Sequence, residues 1–364
     1  MTTKKPGYRP TSAGTPTRKL SPKARQARLR RMRRRKIKHT ILLMLLIVIL
    51  GAAGYGAIYL LRGGDFENVP QTYALNKEFQ NTMSRKENMK ADTFAENLCV
   101  VTGNVPLETS SLTNEQKGML LNLDEKEVMY SQNVFDRVYP ASITKIMTAM
   151  LAFKYADMND VVTISQEDVT LEEGSQVVGF WAGDQVTMEK LVHCLLVYSG
   201  NDAAMAIAEH IGGGSIDQFV VMMNNYAQEL GCTGTHFMNP HGLTNEQHYT
   251  TPYDIYLMLK EALNYPEFTQ ITQLPSYTVT YNHADGSEGS TTLEATDHYL
   301  TGEATAPKDV TVLGGKTGYT SEAGNCLALL SQNAYGKPYV SIVMGASTKD
   351  VLYEQMNSLL QNIN

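Results

Sequence analysis

A single uncharged segment limits what this chain can fold into. Residues 41–61 read ILLMLLIVILGAAGYGAIYLL and contain no charged side chain. An α-helix rises about 1.5 Å per residue, so this segment would measure about 31 Å, close to the thickness of the hydrocarbon core of a bilayer. The segment therefore predicts a transmembrane helix over residues 40–62, and only the chain on either side of it can form a water-soluble fold.

Charge is distributed very unevenly around this segment. Residues 1–40 hold 15 Lys and Arg and no acidic residue, whereas residues 63–364 hold 15 Lys and Arg and all 37 Asp and Glu. Positive charge marks the cytoplasmic side of a membrane span. We therefore expect a basic cytoplasmic tail over residues 1–39, a single-pass anchor in the cell membrane, and an acidic extracellular part after Arg62.

A nucleic-acid-binding arm and a cleaved signal peptide are the two other interpretations of the N-terminal region. Because the basic residues adjoin an apolar segment, orientation of a span and attraction to anionic lipid explain them more simply than nucleic acid does. A signal peptide needs a small-residue cleavage site, and Gly54-Tyr55-Gly56 is a poor one, beyond which the apolar run continues. An uncleaved anchor without a nucleic-acid partner is the favoured interpretation.

The rest of the chain divides into a stalk and a body. Residues 63–95 are polar and poor in branched apolar side chains, which is typical of a linker. In the body, residues 96–364, the predicted strands are 97–101, 118–123, 127–132, 309–315, 326–332 and 339–345. We therefore expect an α/β fold of the α+β type, whose antiparallel sheet takes strands from both ends of the body around an inserted α-rich block.

Helical periodicity and capping signals lie inside that block. Apolar residues recur at helical spacing after Ser142 and again from residue 188. An Ala-rich run over residues 201–211 stops at three glycines, and Thr251-Pro252 has the signature of a helix start. Residues 277–312 carry no such signal, so either hairpins or a long loop are expected there.

Cysteine and histidine provide no metal pattern. The spacings between Cys99, Cys194, Cys232 and Cys326 match no metal motif, and the eight histidines form no H-x-H or H-x-x-x-H pair. We therefore expect neither a metal nor another cofactor. Export would permit disulfides, but the sequence does not decide between paired and free thiols.

The first candidate catalytic pair is Ser142 and Lys145, in the stretch PASITK. Side chains three positions apart on a helix share one face, so the Lys145 amine can reach the Ser142 hydroxyl. A lysine acts as a general base only when it is neutral, which requires burial or a second cation nearby. Serine is also a common helix N-cap, so this pair by itself is more simply interpreted as structural.

Two further motifs change that interpretation. Ser199-Gly200-Asn201 falls at a junction between predicted helices, and Gly314-Gly315-Lys316-Thr317-Gly318 begins on the predicted strand 309–315. Ser-x-x-Lys, Ser-x-Asn and Lys-Thr-Gly in this order are typical of the penicillin-recognising serine acyl-transferases. The three motifs together predict an active site built from residues that lie far apart in the sequence.

Within that superfamily, the body resembles the low-molecular-mass D-alanyl-D-alanine carboxypeptidases. The stretches that carry the resemblance are YPASITKIMTAMLAF (139–153), LVYSGNDAAMAIAEHIGG (196–213), FVVMMNNYAQELGCTGTHFMNPHGL (219–243), YTTPYDI (249–255) and LGGKTGYTSEAGNCLALL (313–330). It covers residues 96–364 and implies a β-lactamase/DD-peptidase-like fold. It also implies a cell-wall serine peptidase that acts on the peptidoglycan stem peptide ending in D-Ala-D-Ala and that β-lactams inhibit.

The resemblance assigns catalytic roles to matching residues. Ser142 would be the acylated nucleophile, Lys145 its general base, and Ser199 the group that relays a proton to the leaving D-alanine amine. The backbone N–H groups of Ser142 and Tyr319 would form the oxyanion hole.

It also assigns substrate-binding roles. Asn201 would hold a substrate amide, and Lys316 and Thr317 would bind the terminal carboxylate, with Gly318 and Tyr319 beside them. A free carboxylate needs a fixed cation, and the same cation would help to keep the neighbouring catalytic lysine neutral. For His241, within a matching stretch, we expect a structural role rather than a catalytic one.

The chain departs from the family pattern in two places. Residues 281–311 match poorly, so specificity at the rim of the substrate groove is open. Too few residues follow Gly318 for the additional all-β domain of many relatives, so we expect no such domain.

Other functions remain open for the same three motifs. A β-lactamase-like hydrolase would need a positioned carboxylate, for which the nearest match is Glu261 in EALN. A non-catalytic cell-wall scaffold is the third interpretation. The balance of carboxypeptidase, transpeptidase and endopeptidase activity is also open, because water and amines attack the same acyl-enzyme, and the sequence leaves the oligomeric state unknown.

Overall fold

The computed structural model describes residues 97–364 of the chain. The predicted tail (1–39), transmembrane helix (40–62) and stalk (63–95) lie outside the described residues. Among residues 97–364, no helix combines the length and the apolar character needed to cross a bilayer.

The described residues form strands, α-helices and two short irregular turns. The strands are β1 (Lys117–Asn122), β2 (Glu127–Gln132), β3 (Val161–Thr163), β4 (Gln185–Thr187), β5 (Ser276–Asn282), β6 (Glu288–Glu294), β7 (Thr311–Thr320), β8 (Gly324–Gln332) and β9 (Pro338–Ala346). The helices are α1 (Lys145–Tyr155), α2 (Met188–His193), α3 (Asn201–Ile211), α4 (Ile216–Glu229), α5 (Pro252–Ala262), α6 (Pro266–Thr272), α7 (His298–Thr301) and α8 (Lys349–Leu360). A 3₁₀ turn over Ala141–Thr144 precedes α1, and a π-helical turn over Cys194–Tyr198 follows α2.

The main sheet is antiparallel and has the strand order β2-β1-β9-β8-β7. Strands from both ends of the body pair with each other, as predicted, because β1 is aligned with β9 through pairs such as Leu120 and Ser341. β7 lies at one edge of this sheet. An edge strand leaves a row of backbone N–H and C=O groups without a strand partner, so β7 can face a groove.

Apolar clusters cover both faces of this sheet. Alternate side chains of β8 point to opposite faces. Leu327 and Leu329 pack in a cluster with Met356 of α8, whereas Ala328 and Leu330 belong to the larger core on the other face. Because both faces of the sheet are covered at β8, this strand is apolar along most of its length.

Helix α1 lies inside the larger core. Its first eight residues, from Lys145 to Ala152, are all buried. A helix that is apolar on every side is typical of a protein interior. The lysine at the first position of α1 is therefore carried into the interior together with its apolar neighbours.

One predicted strand is wrong. Residues 97–101 do not form a strand. The Cys99 N–H donates to the Tyr256 hydroxyl at 2.8 Å, and its thiol donates to the Asn122 carbonyl at 3.4 Å. The Tyr256 side chain and the last residue of β1 therefore provide the hydrogen-bond partners that a neighbouring strand would otherwise provide.

The inserted block is not purely helical. It contains a second antiparallel sheet with the order β3-β4-β5-β6. β3 and β4 have three residues each, which is too short for alternation to show in the sequence. Of the two expectations for residues 277–312, the hairpin is confirmed, since β5 pairs with β6. The four cysteines are buried and free, which answers the question of pairing.

Candidate active site

Ser142 lies on the 3₁₀ turn rather than at the first position of an α-helix, because α1 begins at Lys145. Ala141 has a φ of 46°. Its carbonyl packs so tightly against Gly242 that a Cβ there would lie 1.8 Å from the Ala141 oxygen. The turn still brings the predicted pair together, with Lys145 Nζ 2.9 Å from Ser142 Oγ.

Three oxygen atoms surround the Lys145 amine. Besides Ser142, Nζ contacts Asn201 Oδ1 at 2.7 Å and the His241 carbonyl at 2.9 Å. Burial lowers the pKa of Lys145 well below its usual range, the charge of Lys316 lowers it further, and Asp202 opposes this effect. The environment therefore favours a neutral amine, as a general base requires.

Irregular backbone positions the second motif. The π-helical turn ends at Tyr198, and Ser199 follows in the left-handed conformation with φ 70° and ψ 33°. Helix α3 begins at Asn201, whose N–H donates to the Gln176 carbonyl at 2.8 Å. π-turns and strained residues occur often at functional sites, and here they bend the chain so that two side chains of one short motif face the same cleft.

Asp202, the next residue along the chain, anchors one wall of this region. Its side chain is buried, and the carboxylate accepts hydrogen bonds from the N–H groups of Val178 at 3.0 Å and Gly179 at 2.9 Å. These bonds hold the loop that contains residues 174–176 beside the start of α3.

Lys316 extends from β7 into the same region. It is 1% exposed, and its Nζ donates to Ser199 Oγ at 3.0 Å and to the Thr317 carbonyl at 3.1 Å. Burial lowers the pKa of Lys316 to about 7, while the charge of Asp297 raises it. The second and third motifs are thus joined by a direct hydrogen bond.

One open cleft of about 200 Å³ contains the predicted site. Ser142, Ser199, Asn201, Thr317, Gly318 and Tyr319 line it. Lys145 and Lys316 do not line the cleft themselves, but each amine is hydrogen-bonded to one of the two serines that do. A Cβ at Gly318 would lie 3.0 Å from the Ser142 nitrogen, so a glycine lets β7 approach the serine turn this closely. The structure therefore brings all eight predicted site residues together.

Sequence reasoning missed the outer walls of the cleft. Gln176, Leu243, Thr296 and Tyr353 also line it. Thr296 Oγ1 accepts a hydrogen bond from Thr317 Oγ1 at 2.5 Å. Thr296 falls in the stretch that matches the family poorly, so no motif marked it, and only its contact with the Lys-Thr-Gly strand reveals its position.

His241 contributes its backbone carbonyl to the site, as an acceptor for Lys145. Its ring Nδ1 accepts a hydrogen bond from the Leu243 N–H at 3.1 Å, and burial lowers the pKa of the imidazole to about 3. A neutral, internally bonded ring agrees with the structural role expected for this residue. Within residues 97–364, no three His, Cys, Asp or Glu side chains are grouped as metal ligands.

Residues 108–348 match the sequence profile of the family described as D-alanyl-D-alanine carboxypeptidase. The chain belongs to the D-alanyl-D-alanine carboxypeptidase family. This confirms the family that the sequence analysis named, and the observed α+β architecture confirms the expected fold.

Curated members of this family from several bacteria are similar in sequence to the chain. It is 35% identical over 261 residues to D-alanyl-D-alanine carboxypeptidase DacF of Bacillus subtilis, covering 69% of this chain and 63% of the relative. It is 30% identical over 253 residues to DacD of Escherichia coli, covering 67% of this chain and 61% of the relative. The chain therefore spans somewhat less than two thirds of the length of these relatives.

Solved structures of D-alanyl-D-alanine carboxypeptidase relatives share the fold. The DD-transpeptidase of Streptomyces K15 superposes with a TM-score of 0.63 at 25% identity, covering 72% of this chain and 98% of the relative. A D-alanyl-D-alanine carboxypeptidase from Mycobacterium tuberculosis H37Rv superposes with a TM-score of 0.60 at 29% identity, covering 71% of this chain and 93% of the relative.

The carboxylate considered for a β-lactamase-like reaction lies elsewhere in this family member. Glu261 is on α5, where it accepts hydrogen bonds from the Tyr226 hydroxyl at 2.9 Å and from the Asn264 amide at 2.8 Å. It is not among the residues that line the cleft.

Proposed function

We propose that the chain is a serine-type D-Ala-D-Ala carboxypeptidase that removes the terminal D-alanine from peptidoglycan stem pentapeptides. The observation that carries this proposal is the convergence of Ser142, Lys145, Ser199 and Lys316 at one cleft through direct hydrogen bonds. β-Lactams would acylate the same serine, because they present a similar carbonyl and carboxylate.

The contacts of Lys145 support its role as the base. A neutral amine has two N–H donors and one lone pair. Asn201 Oδ1 and the His241 carbonyl can only accept, so they use both N–H groups and leave the lone pair to the Ser142 hydroxyl. Ser142 then transfers its proton to Lys145 as its Oγ attacks the substrate carbonyl carbon.

The tetrahedral intermediate would form beside the close contact between the serine turn and β7. The N–H groups of Ser142 and Tyr319 would stabilise its oxyanion. The C–N bond then breaks, and Ser199 gives its proton to the leaving D-alanine amine. Ser199 Oγ already accepts from Lys316, so its own hydrogen is available for donation. The proton that Lys145 took from Ser142 restores the Ser199 hydroxyl.

Substrate binding would use the residues around the same cleft. Lys316 and Thr317 would bind the terminal carboxylate, Asn201 would hold an amide, and Gly318 and Tyr319 would lie along the peptide. Water, activated by Lys145, then hydrolyses the ester on Ser142 and releases the shortened peptide.

The cellular setting is also part of the proposal. Its support is the basic tail over residues 1–39, the uncharged segment 41–61 within the predicted span 40–62, and the polar stretch over 63–95. These features favour a single-pass membrane anchor that carries the catalytic domain, residues 96–364, on the outer side of the membrane, where peptidoglycan is found.

Intact-protein mass spectrometry after penicillin treatment tests the proposal. One covalent adduct is expected on the unaltered chain and none on Ser142→Ala. D-alanine release from a pentapeptide is then compared with penicillin hydrolysis by the same sample. Rapid penicillin turnover would favour a β-lactamase-like hydrolase, and the absence of both activities would favour a non-catalytic scaffold.

A further inference from the structure

Asp297 is a buried carboxyl beside the cleft that the proposed mechanism does not use. It is 4% exposed and lies between Thr296 and helix α7. Thr296 is bound on two sides, since its hydroxyl accepts from Thr317 and its N–H donates to the Val197 carbonyl at 3.2 Å. Asp297 is therefore held one residue from the wall of the cleft.

The two carboxyl oxygens of Asp297 have different environments. Oδ1 accepts hydrogen bonds from the Tyr299 N–H at 3.0 Å and from the Tyr353 hydroxyl at 3.3 Å. Oδ2 is buried and has no hydrogen-bond partner among residues 97–364. An N-cap needs only one side-chain oxygen, and Oδ1 already serves that role for α7. Capping therefore does not explain why Oδ2 is buried. A buried charge persists only where opposite charge or hydrogen bonds compensate it.

Lys316 is the buried cation on the adjoining strand, one residue before the Thr317 that bonds Thr296, and it offers that opposite charge without a direct ion pair to Asp297. Burial raises the pKa of Asp297 to about 6, and the hydrogen bonds to Oδ1 and the charge of Lys316 lower it. In return, the charge of Asp297 raises the pKa of Lys316 against the effect of burial. Each group thus favours the charged form of the other in the protein interior.

The phenols around Asp297 add no charge to this interaction. Burial raises the pKa values of Tyr299 and Tyr353 well above their usual range, so both are uncharged at neutral pH. The Tyr299 hydroxyl donates to Asn357 at 2.8 Å and not to the carboxyl.

A second group of charges on this side of the protein is more exposed. His298 stacks on Tyr353 with ring centroids 4.9 Å apart, and its Nε2 lies 3.6 Å from Glu303 and 3.4 Å from Lys349. Glu303 and Lys349 are exposed, so solvent screens their charges far more than it screens a buried pair.

Lys145 is the other buried amine of the site, and the charge of Lys316 lowers its pKa. The acid that acts on Lys145 is Asp202, whose carboxylate accepts from backbone N–H groups of the cleft loop. The two lysines therefore have the same functional group, similar burial and different acidic neighbours.

We propose that Asp297 is a positioning residue whose carboxylate keeps Lys316 in the ammonium form that binds the terminal carboxylate of the substrate. This proposal rests on the proposed function. The reaction needs one buried lysine charged, to bind an anion, and the other neutral, to accept a proton. Asp297 determines which lysine keeps the proton, and the charged Lys316 then favours a neutral Lys145.

Asp297→Asn tests this role, because the amide oxygen can still accept both hydrogen bonds that reach Oδ1 while the charge is lost. Glu303→Gln is the matched control, since it removes an exposed carboxylate from the same segment. For the full chain and both variants, kcat/KM for D-alanine release from an acylated peptide ending in D-Ala-D-Ala is measured between about pH 5.5 and about pH 9.

We expect Asp297→Asn to move the alkaline limb of the kcat/KM profile about one unit toward lower pH, a loss of about tenfold at about pH 8. The loss should appear mainly in KM, because the ammonium group binds the substrate carboxylate. The profile of Glu303→Gln should coincide with that of the unaltered chain. An unshifted Asp297→Asn profile, or an equal shift in both variants, would overturn the proposal.

Tyr353→Phe provides a second test if Asp297→Asn does not fold, as judged by circular dichroism. It removes one hydrogen bond that lowers the pKa of Asp297, so the acid limb of the profile should move to higher pH. An unchanged acid limb would count against the role of Asp297.

D-alanine release by the unaltered chain tests the proposed function alone. If the peptide is not a substrate, the same comparison of variants is made on the acylation of Ser142 by benzylpenicillin, which also carries a carboxylate. A difference between Asp297→Asn and Glu303→Gln there would support the role of Asp297 even though the proposed function had failed, and equal profiles would reject it.

Discussion

The Lys316 amine lies 3.0 Å from the Ser199 hydroxyl oxygen, although 117 residues separate the two in the chain. One residue lies on an edge strand of the main sheet and the other follows a π-helical turn in the inserted block. The hydrogen bond therefore spans the cleft from the sheet to the helices. Changes on either side of it should affect catalysis, and the following variants test the main contacts.

Lys145→Met should abolish most of the acylation of Ser142. The apolar side chain has a similar length but cannot accept the proton, so the acylation rate should fall by about 10²–10⁴-fold. The rate is measured by the appearance of the penicillin adduct in intact-protein mass spectra. Lys154→Met is the control, because Lys154 lies at the exposed end of the same helix, 3.5 Å from Glu229. Equal rates for the two variants would contradict the role of Lys145.

Ser199→Ala should slow the departure of D-alanine. The variant lacks the hydroxyl that would protonate the leaving amine, so kcat for D-alanine release should fall by about 10²–10⁴-fold. Ser331→Ala is the control, since Ser331 is a buried serine of β8 whose hydroxyl has no hydrogen-bond partner among the described residues. The proton-relay assignment fails if Ser199→Ala keeps the kcat of the control.

Gly242→Ala should displace the turn that carries Ser142. Its φ of 93° is unfavourable for alanine, and the new Cβ would lie 1.8 Å from the Ala141 oxygen. We expect a lower melting temperature and a large loss of acylation. Gly336→Ala, with a φ of 77° and open space around it, should cost about 1–2 kcal/mol and leave acylation unchanged. Normal acylation by Gly242→Ala would show that the turn does not depend on this glycine.

Lys316 should make the free energy of unfolding depend on pH. Its pKa is about 7 in the folded chain against 10.5 ordinarily, so between these values the unfolded chain binds one more proton. Stability rises with pH where the unfolded state binds more protons, which gives a slope of about 1.4 kcal/mol per pH unit from this residue. Lys316→Met should lose that slope in urea unfolding between about pH 7.5 and about pH 8.5. Identical slopes in the two proteins would mean that the pKa of Lys316 is not lowered.

Local pattern was sufficient to predict much of the fold. The strands that became β1, β2, β8 and β9 were predicted close to their observed positions, because a covered sheet requires continuous or alternating apolar side chains. The strand predicted over 309–315 exists as β7, but it continues to Thr320 and so includes the Lys-Thr-Gly motif. The strand expected over residues 97–101 failed because hydrogen bonds to Tyr256 and Asn122 replaced a ladder there. The three-residue strands β3 and β4 are too short to leave a pattern.

The chemical groups of the site can be named from the amino-acid sequence. The order of the three motifs, with the family resemblance that it carries, was sufficient to name Ser142, Lys145, Asn201 and Lys316. The differences between those groups arise in the folded chain. The left-handed backbone of Ser199, the low pKa of Lys145 and the burial of Asp297 next to the threonine that bonds Thr317 arise from contacts between distant segments. Such contacts set the local burial and charge, which no short stretch of sequence contains.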